Sequence, residues 1–579
     1  MRSLKNLACK AYRSLFKDRV EAALFLVAFS TEILTGLYLL LKFGTTYGFG
    51  YRGEDLIAHL YIPRVVIDNG ENSGFTNLGT VWLPIYHILL IPLVVVDPLY
   101  TTGFAGTLLN ALITACITCL VYRLVRGFGG RWWHGVVASM LFLLSPINLV
   151  GNGCSAQMSP IGVLFTLLSA YYFKQYLEGD DLRTFMKCCA TVMAGTLSRY
   201  EVWPVAILLA IFFTLKELSK KRMHRIVYTN FLFWGMAYWL FYNLAIFRDP
   251  LAWIYGPFPG AYGYYAEVVN RILVPPVEHF LKIAISLVLG LTKLMGFIWI
   301  LFPIALLVHL ARRDWSILAV LILVNSCIII PPAAHGVRLK AHSYSLYPVL
   351  PGIVLACFSL LKPLTSLHRD STSKGKASKH RGIAFYTLFI VILWAIALPL
   401  MLSYADPAKQ YYSRRYYQWR EEIEAIYRVV ADDVVDRRSY ILATGVASIS
   451  PSRCLSVFYG ISPSMIIDEY DGVLFKNASM EPWRYCEYVV VSKMDPTSKG
   501  VRDFLGAENR YYGAHFLYLY YFDHSWREKF LVHYEPILET EHLTLYRRID
   551  VSETRFSKNS SLKLLVAYTC SCTRISCTC

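Results

Sequence analysis

The chain has 579 residues, of which 55% are hydrophobic and 17% charged, and its mean hydropathy is +0.42. This composition excludes an ordinary soluble protein, because the apolar residues gather in runs of roughly 20, the length at which a helix crosses a ~30 Å hydrocarbon layer. The formal net charge of +17 does not indicate a nucleic-acid partner, since the basic residues lie in short loops between the runs, as is typical of cytosolic loops of membrane proteins.

The first apolar run, about residues 21–42, predicts the first membrane span. Six basic residues between Arg2 and Arg19 precede the run, so we expect the N-terminus to be cytosolic. The run is long and is not followed by a small-residue cleavage site, which favours a retained signal anchor over a cleaved leader. The first outer loop then covers about residues 43–98.

The apolar segment 82–96 decides the topology of the rest of the chain. It is short for a span and contains Pro84 and Pro92. As a span it would also put the basic loop Arg123–Arg131 outside, against the positive-inside rule. We therefore predict a juxtamembrane or re-entrant helix on the outer face, followed by a second span at 99–125.

The later apolar runs complete a polytopic α-helical membrane domain over residues 1–402, with about eleven spans. The outer loop at about 248–279 is rich in aromatic residues, which favours a membrane belt, with stacking on sugar rings as the alternative. Residues 367–381 predict a solvated connector on the cytosolic side. The predicted spans after the second lie at 133–149, 158–173, 185–197, 203–215, 227–247, 280–310, 317–330, 347–361 and 383–402.

The chain changes character after residue 402, which this topology places outside the membrane. A helical pattern at 420–430, strand patterns at 440–444 and 488–492, and a hairpin pattern at 535–549 predict a small extracytoplasmic α/β domain over 403–555. The tail, 556–579, carries Cys570, Cys572, Cys577 and Cys579 in a spacing that is not a standard zinc pattern. The alternatives are a soft-metal site, disulfides, or no site, and we favour no site.

The first candidate site lies in the first outer loop, where Glu54 and Asp55 precede His59 and Arg64. If this segment is helical, Asp55 and His59 lie one turn apart on one face. A carboxylate held at a membrane boundary acts as a general base when it reaches a substrate hydroxyl. The alternative is an acidic pair that caps a surface helix.

Two further groups of charged residues lie at predicted outer boundaries. Arg199 and Glu201 lie between two apolar runs, where they form either an interfacial ion pair or part of a functional site. Arg338, Lys340 and His342 form a cationic loop that suits either the phosphate of a substrate or lipid headgroups. The chain contains no P-loop, HExxH or GxSxG context, which argues against ATP-driven transport, metalloprotease and serine hydrolase functions.

Together, this layout and these motifs resemble the GT-C superfamily of membrane glycosyltransferases, in particular the dolichyl-phosphate-mannose–protein mannosyltransferase-like branch (glycosyltransferase family 39-like). The resemblance covers the layout up to about residue 402. It rests on the order Asp55, His59, Tyr61 and Arg64, and on two short stretches: 79–87, with Trp82 and His87, and 198–201. The chain departs from the family at Leu56, where a second acidic residue is usual, and has Glu54 before Asp55 instead. The Trp-Trp-Asp motif of oligosaccharyltransferase subunits is not present.

The resemblance implies an inverting glycosyltransferase that moves a hexose such as mannose from a polyprenyl phosphate, dolichyl phosphate included, to an acceptor hydroxyl on the outer face of the membrane. In that scheme Asp55 is the general base and Glu54 the alternative or supporting carboxylate. The roles of the other candidates follow from the same resemblance. Donor-phosphate binding falls to Arg199, Arg338, Lys340 and His342, and substrate positioning to His59, Arg64, Trp82, His87 and Glu201.

The same scheme needs no cofactor, and we predict no metal, since a single carboxylate pair is a poor cage for a divalent ion. The expected partners are the lipid-linked donor, a protein, glycan or lipid acceptor, and membrane lipid. The expected location is a prokaryotic plasma membrane, that of an archaeon included. A transporter or flippase of lipid-linked glycans is the alternative, and a non-catalytic receptor is a third hypothesis.

Overall fold

The structure is a computed structural model that describes most of the chain. The described residues are 18–44, 53–78, 82–251, 285, 288–289, 291–292, 295–326, 347, 349–362, 375–405, 415–437, 439–443, 451–468, 471, 473–493 and 512–549. Within these ranges, only the backbone is described at 53–55, 71, 247, 375–382, 403–405, 415–419, 435–437, 473 and 512–515.

Among the described residues, 4 helices are long and apolar enough to cross a membrane. They are Arg19–Phe43, Phe104–Gly127, Tyr200–Ser219 and Ile383–Leu402. Shorter apolar helices accompany them, so the structure is compatible with a polytopic membrane protein. The count of about eleven spans stays a prediction.

The helices of the membrane part are numbered here in chain order. The first five are α1 (Arg19–Phe43), α2 (Gly53–Ile67), α3 (Ile85–Val94), α4 (Asp97–Thr101) and α5 (Phe104–Gly127). The next six are α6 (Trp132–Leu143), α7 (Pro146–Leu149), α8 (Ser159–Gly179), α9 (Leu182–Thr196), α10 (Trp203–Ser219) and α11 (Trp234–Phe247). The last four are α12 (Leu301–Ala311), α13 (Trp315–Asn325), α14 (Val349–Ser359) and α15 (Gly375–Ala405).

Several predicted boundaries differ from the observed ones for local reasons. The span predicted at 99–125 begins at Phe104, because Gly103 adopts a left-handed conformation (φ 74°) that separates α4 from α5. The span predicted at 133–149 is divided between α6 and α7, and Pro146 begins the second piece. The predicted connector 367–381 is helical from Gly375, where Lys, Ala and Arg residues favour a helix.

The segment predicted at 227–247 is also not one α-helix. A 3-10 helix covers Met223–Phe233, and α11 follows it. By contrast, the segment predicted as juxtamembrane, 82–96, contains only the 10-residue helix α3. A helix of that length measures about 15 Å, roughly half of the hydrocarbon layer.

Helix α5 lies at the centre of the membrane part and α1 at its outside. Most of the apolar window of α5 is buried, against 28% of that of α1. The outer face of α1 exposes Leu26, Leu34 and Leu41, an apolar surface of the kind that faces lipid. Gly36 on its inner face allows α1 to approach α5, since a Cβ there would overlap Thr107.

The C-terminal region, 415–549, contains a mixed 5-stranded sheet in the order β2-β1-β3-β5-β4. Strand β1 pairs parallel with β2 and β3, whereas β3–β5 and β5–β4 are antiparallel. The strand and hairpin predictions are therefore confirmed. The strands are β1 (Ile441–Ala443), β2 (Ile466–Ile467), β3 (Tyr488–Ser492), β4 (Tyr534–Glu539) and β5 (Leu543–Arg548).

Alternation along these strands divides the apolar side chains between two cores. Ile441 and Val490 pack into the core that continues from the membrane part, whereas Val489 and Val491 pack into a second core on the other face of the sheet. The C-terminal region is thus packed against the membrane part by its own β-sheet core. Its helices are α16 (Arg415–Arg437), α17 (Pro451–Tyr459), α18 (Val473–Met480), α19 (Tyr512–Phe522) and α20 (His524–His533).

Candidate functional site

Helix α2 is the element that positions the first candidate residues. Its backbone is helical from Gly53, so Asp55 and His59 lie one turn apart, as the sequence predicts. Acidic residues in a first turn stabilise a helix through its dipole, which gives Glu54 and Asp55 a favourable place at the N-terminus. The side chains of Glu54 and Asp55 lie outside the described residues.

His59 is buried and faces the second buried histidine of the site. Its Nδ1 atom lies 3.1 Å from Nε2 of His87. The ring of Trp82 meets the His59 ring edge-on, with 5.1 Å between centroids. The structure therefore brings together three of the predicted substrate-positioning residues: His59 on α2, His87 on α3, and Trp82 just before α3.

Both imidazoles are held neutral by their surroundings. Burial lowers the pKa of His59 well below its ordinary value, and electrostatic interactions with His87, Arg199 and Arg453 lower it further. Burial lowers the pKa of His87 to about 3. Within the described part of the chain, Nδ1 of His87 is buried and has no hydrogen-bond partner, so this atom is chemically available inside the site.

Arg199 approaches His59 from the boundary between α9 and α10. The backbone N–H of Ile85 donates to the carbonyl of Leu197 at 3.2 Å, which ties α3 to this boundary. Arg199 forms a two-point ion pair with Glu201, with Nε–Oε2 at 3.0 Å and Nη2–Oε1 at 2.5 Å. The ion pair predicted as one alternative is thus present, in a place where the charge of Arg199 also reaches His59.

Gly162 on α8 makes the position of Arg199 sterically feasible. A Cβ at Gly162 would lie 2.8 Å from Cγ and 3.0 Å from Cβ of Arg199. The glycine therefore leaves the space through which the arginine stem passes.

Arg64, for which the resemblance implies a role in substrate positioning, has several partners within the protein. Its guanidinium pairs with Asp68 at 3.2 Å and Asp97 at 2.8 Å, and donates to the carbonyl of Val94 at 2.8 Å. It also lies over the ring of Tyr100, 5.2 Å from the centroid. These contacts make Arg64 a residue that fixes α2 against α3 and α4.

The C-terminal region reaches the same site, a relationship that the sequence patterns did not indicate. The hydroxyl of Tyr61 donates to Asp468 at 2.7 Å, and both residues are buried. Helix α17 packs on α2, and its Arg453 is one of the two arginines whose charge acts on His59. A lone arginine after Ser452 carries no local motif, so no pattern in the sequence singled it out.

The remaining candidates are less informative. Arg338, Lys340 and His342 lie outside the described residues, as do most of the aromatic outer loop and the whole cysteine tail. In the described part, the ligand atoms of Glu422, Glu541 and His542 lie close enough together to suit a cation. These residues are partly exposed, however, and Glu422 already accepts a hydrogen bond from His542. The chemistry of the site therefore rests on the residues around His59.

A buried carboxyl inside α1 was also missed. Glu32 is fully buried and accepts a hydrogen bond from Asn148 at 2.7 Å, and Asn148 in turn accepts one from Tyr347 at 2.9 Å. A side chain on Gly153 would overlap the Glu32 carboxyl. An acidic residue in the middle of an apolar run is itself the sequence signal for such a site.

Neither a known protein-family model nor a curated protein sequence matches this chain. The functional argument therefore rests on the geometry of the site and on the resemblance described above.

Proposed function

We propose that the protein is an inverting glycosyltransferase that moves a hexose such as mannose from a polyprenyl-phosphate donor to an acceptor hydroxyl at the outer membrane surface. The observation that carries the proposal is the meeting of α2, α3 and the α9–α10 boundary around His59, one turn from Asp55. Such a transfer needs a general base and a cation that stabilises the leaving phosphate, and we propose Asp55 and Arg199 for these roles.

The reaction is a single displacement. Asp55 accepts the proton of the acceptor hydroxyl while the oxygen attacks the anomeric carbon. The bond from that carbon to the phosphate oxygen breaks, and the phosphate leaves with the bonding electron pair. The products are a glycoside of inverted configuration and polyprenyl phosphate, and Asp55 later releases its proton to water.

The neutral histidines support this chemistry in a defined way. A neutral imidazole accepts or donates a hydrogen bond without adding a charge, so His59 and His87 can orient a sugar hydroxyl beside the base. Arg199 offers the positive charge that stabilises the departing phosphate, and Glu201 holds its guanidinium in place.

The test is a transfer assay with purified protein in detergent and radiolabelled polyprenyl-phosphate mannose, glucose and related donors. We expect release of polyprenyl phosphate and a labelled product whose anomeric configuration is opposite to that of the donor. A product of retained configuration would contradict the single displacement. No turnover with any donor, combined with binding of the lipid, would contradict the transferase function.

The second candidate is a transporter or flippase of lipid-linked glycans, and buried Glu32 is the observation in its favour. Ionisable groups inside a membrane domain commonly mark transport or proton pathways. Movement of labelled lipid-linked sugar across proteoliposomes, lost in Glu32→Gln and without any transferred product, would favour this candidate over the transferase.

A further inference from the structure

Two sequons for N-linked glycosylation occur in the chain, Asn477-Ala478-Ser479 and Asn559-Ser560-Ser561. Both follow residue 402, in the part that the predicted topology places outside the membrane, the side on which such glycans are carried. The second sequon lies outside the described residues. A sequon arises easily by chance, so the surroundings of Asn477 and Ser479 decide whether the first one is used.

Asn477 lies on the solvent side of α18. The residue is exposed, as is its neighbour Lys476. Phe475 and Ala478 of the same helix are fully buried in the second core of the C-terminal region. A glycan on the Asn477 amide would therefore extend into solvent, and the folded C-terminal region can carry it.

Ser479 has the opposite environment. The residue is fully buried, and within the described part of the chain its Oγ has no hydrogen-bond partner. A serine inside a helix commonly donates to the carbonyl four residues earlier, but Ser479 makes no such bond to Phe475, which the structure also describes. A buried hydroxyl without a partner destabilises the folded protein, and alanine fits the same place without that cost. The fold therefore gives no reason for serine at this position.

We propose that Asn477 carries an N-linked glycan and that Ser479 is the hydroxyl which the transferring enzyme recognises. Since Ser479 is buried in the folded protein, the glycan is added before α18 folds. The hydroxyl is used at that stage and is then buried without a partner. This proposal is independent of the glycosyltransferase function, because here the chain is the acceptor, but it requires the predicted outward orientation of the C-terminal region.

The group transfer takes a lipid-linked oligosaccharide as its donor. Nδ2 of Asn477 attacks the anomeric carbon of the first sugar and forms the C–N bond, while the bond from that carbon to the phosphate oxygen breaks. The lipid phosphate leaves with the bonding electron pair. One Nδ2 proton passes to a base of the transferring enzyme, so neither oxidant nor reductant is consumed.

Glycopeptide mass spectrometry of the full-length protein, purified from membranes of its natural host, tests the modification. We expect most copies of the peptide containing Asn477 to carry a glycan, and none in Asn477→Gln or Ser479→Ala. The matched control is Asn559→Gln, which removes the other sequon and should leave the glycan on Asn477. An unmodified Asn477 in the wild type would overturn the proposal.

The orientation is measured on the same membranes. In vesicles with the outer face exposed, added protease should cut the C-terminal region of the wild type, and the fragments should include the glycopeptide. A C-terminal region that is cut only after the vesicles are opened would also overturn the proposal.

The idle hydroxyl of Ser479 has its own test, in a background without the glycan. Asn477→Gln and the double variant with Ser479→Ala differ only at position 479. We expect the double variant to have an equal or higher thermal midpoint in detergent, because alanine removes a buried polar group that has no partner. A lower midpoint would show that the fold uses the hydroxyl and would overturn the reason given for serine.

The order of the two events is tested with protein made in a host without N-glycosylation. The folded protein and a peptide of residues 471–483 are each incubated with an oligosaccharyltransferase and lipid-linked oligosaccharide. We expect the peptide to be modified at least about tenfold faster, because the folded chain exposes Ser479 only when α18 opens. Equal rates would overturn the claim that the glycan is added before folding.

Discussion

Nδ1 of His59 and Nε2 of His87 lie 3.1 Å apart in a site where both imidazoles are buried. A hydrogen bond at this distance needs one nitrogen to donate and the other to accept, so at least one ring is neutral. If both rings took up protons, two N–H groups and two positive charges would face each other. The pair therefore links the integrity of the site to pH.

The first prediction concerns acid stability. The pKa values of His59 and His87 are lowered in the folded protein, that of His87 to about 3, so the unfolded chain binds more protons below about pH 6.5. Stability should fall as pH decreases from about 6.5 towards 4, by about 1.4 kcal/mol per pH unit for each histidine. Thermal unfolding in detergent between pH 7.5 and 4.5 measures this slope.

His87→Asn should make that pH dependence shallower, since one titrating group is lost while a side-chain amide can still pair with His59. His224→Gln is the matched control, because His224 is exposed. Equal slopes for the wild type and His87→Asn would show that the histidine pair does not control acid stability.

The second prediction concerns the attachment of the C-terminal region. Tyr61→Phe removes the hydroxyl that donates to buried Asp468 and should cost about 1.5–3 kcal/mol, the range for a hydrogen bond to a charged group. Limited proteolysis should then cut the C-terminal region faster, and the thermal midpoint should decrease. Tyr518→Phe, at a more exposed tyrosine of α19, should change neither quantity. A Tyr61→Phe variant with the proteolysis rate and thermal midpoint of the wild type would refute the role of this contact.

The third prediction concerns the fit of Glu32 against Gly153. Gly153→Ala should destabilise the protein by about 1–3 kcal/mol, because the new methyl overlaps the Glu32 carboxyl. Adding Glu32→Ala should make the loss less than additive, since the shortened side chain leaves room for the methyl. Thermal unfolding of the two single variants and the double variant measures the coupling, and strict additivity would contradict the overlap.

The fourth prediction concerns Arg199. Gly162→Ala should displace its side chain, whose Cγ would lie 2.8 Å from the new Cβ, and should raise the donor KM of the transfer reaction several-fold. Gly179→Ala is the control, because a Cβ on that glycine of α8 meets nothing within 4 Å. Wild-type kinetics in Gly162→Ala would indicate that Arg199 does not act on the donor.

Local patterns in the sequence predicted local structure well. The apolar run at 21–42 corresponds to α1, the strand pattern at 488–492 matches β3 residue for residue, and the alternation at 535–549 is the β4–β5 hairpin. Burial of one or both faces of a helix or strand sets the spacing of its apolar residues, so these elements can be predicted from the sequence alone.

The missed features depend on contacts between distant segments. Nothing near Tyr61 indicates that Asp468 accepts its hydroxyl, and nothing near Arg453 places it beside His59. The resemblance assigns Arg64 to substrate positioning, which stays a prediction, but no local pattern indicates its contacts with Asp97 and the Val94 carbonyl. Such pairings follow from tertiary packing, which no single-sequence period encodes.

The central claim is that Asp55 is the base of a sugar transfer from a lipid phosphate. The most direct measurement is the initial rate of transfer from the best radiolabelled polyprenyl-phosphate sugar with wild type, Asp55→Asn and, as the matched control, Glu54→Gln. The account predicts a loss of about 10²–10⁴-fold in Asp55→Asn, with an unchanged thermal midpoint and far smaller effects in Glu54→Gln. Wild-type rates in a folded Asp55→Asn variant would contradict it.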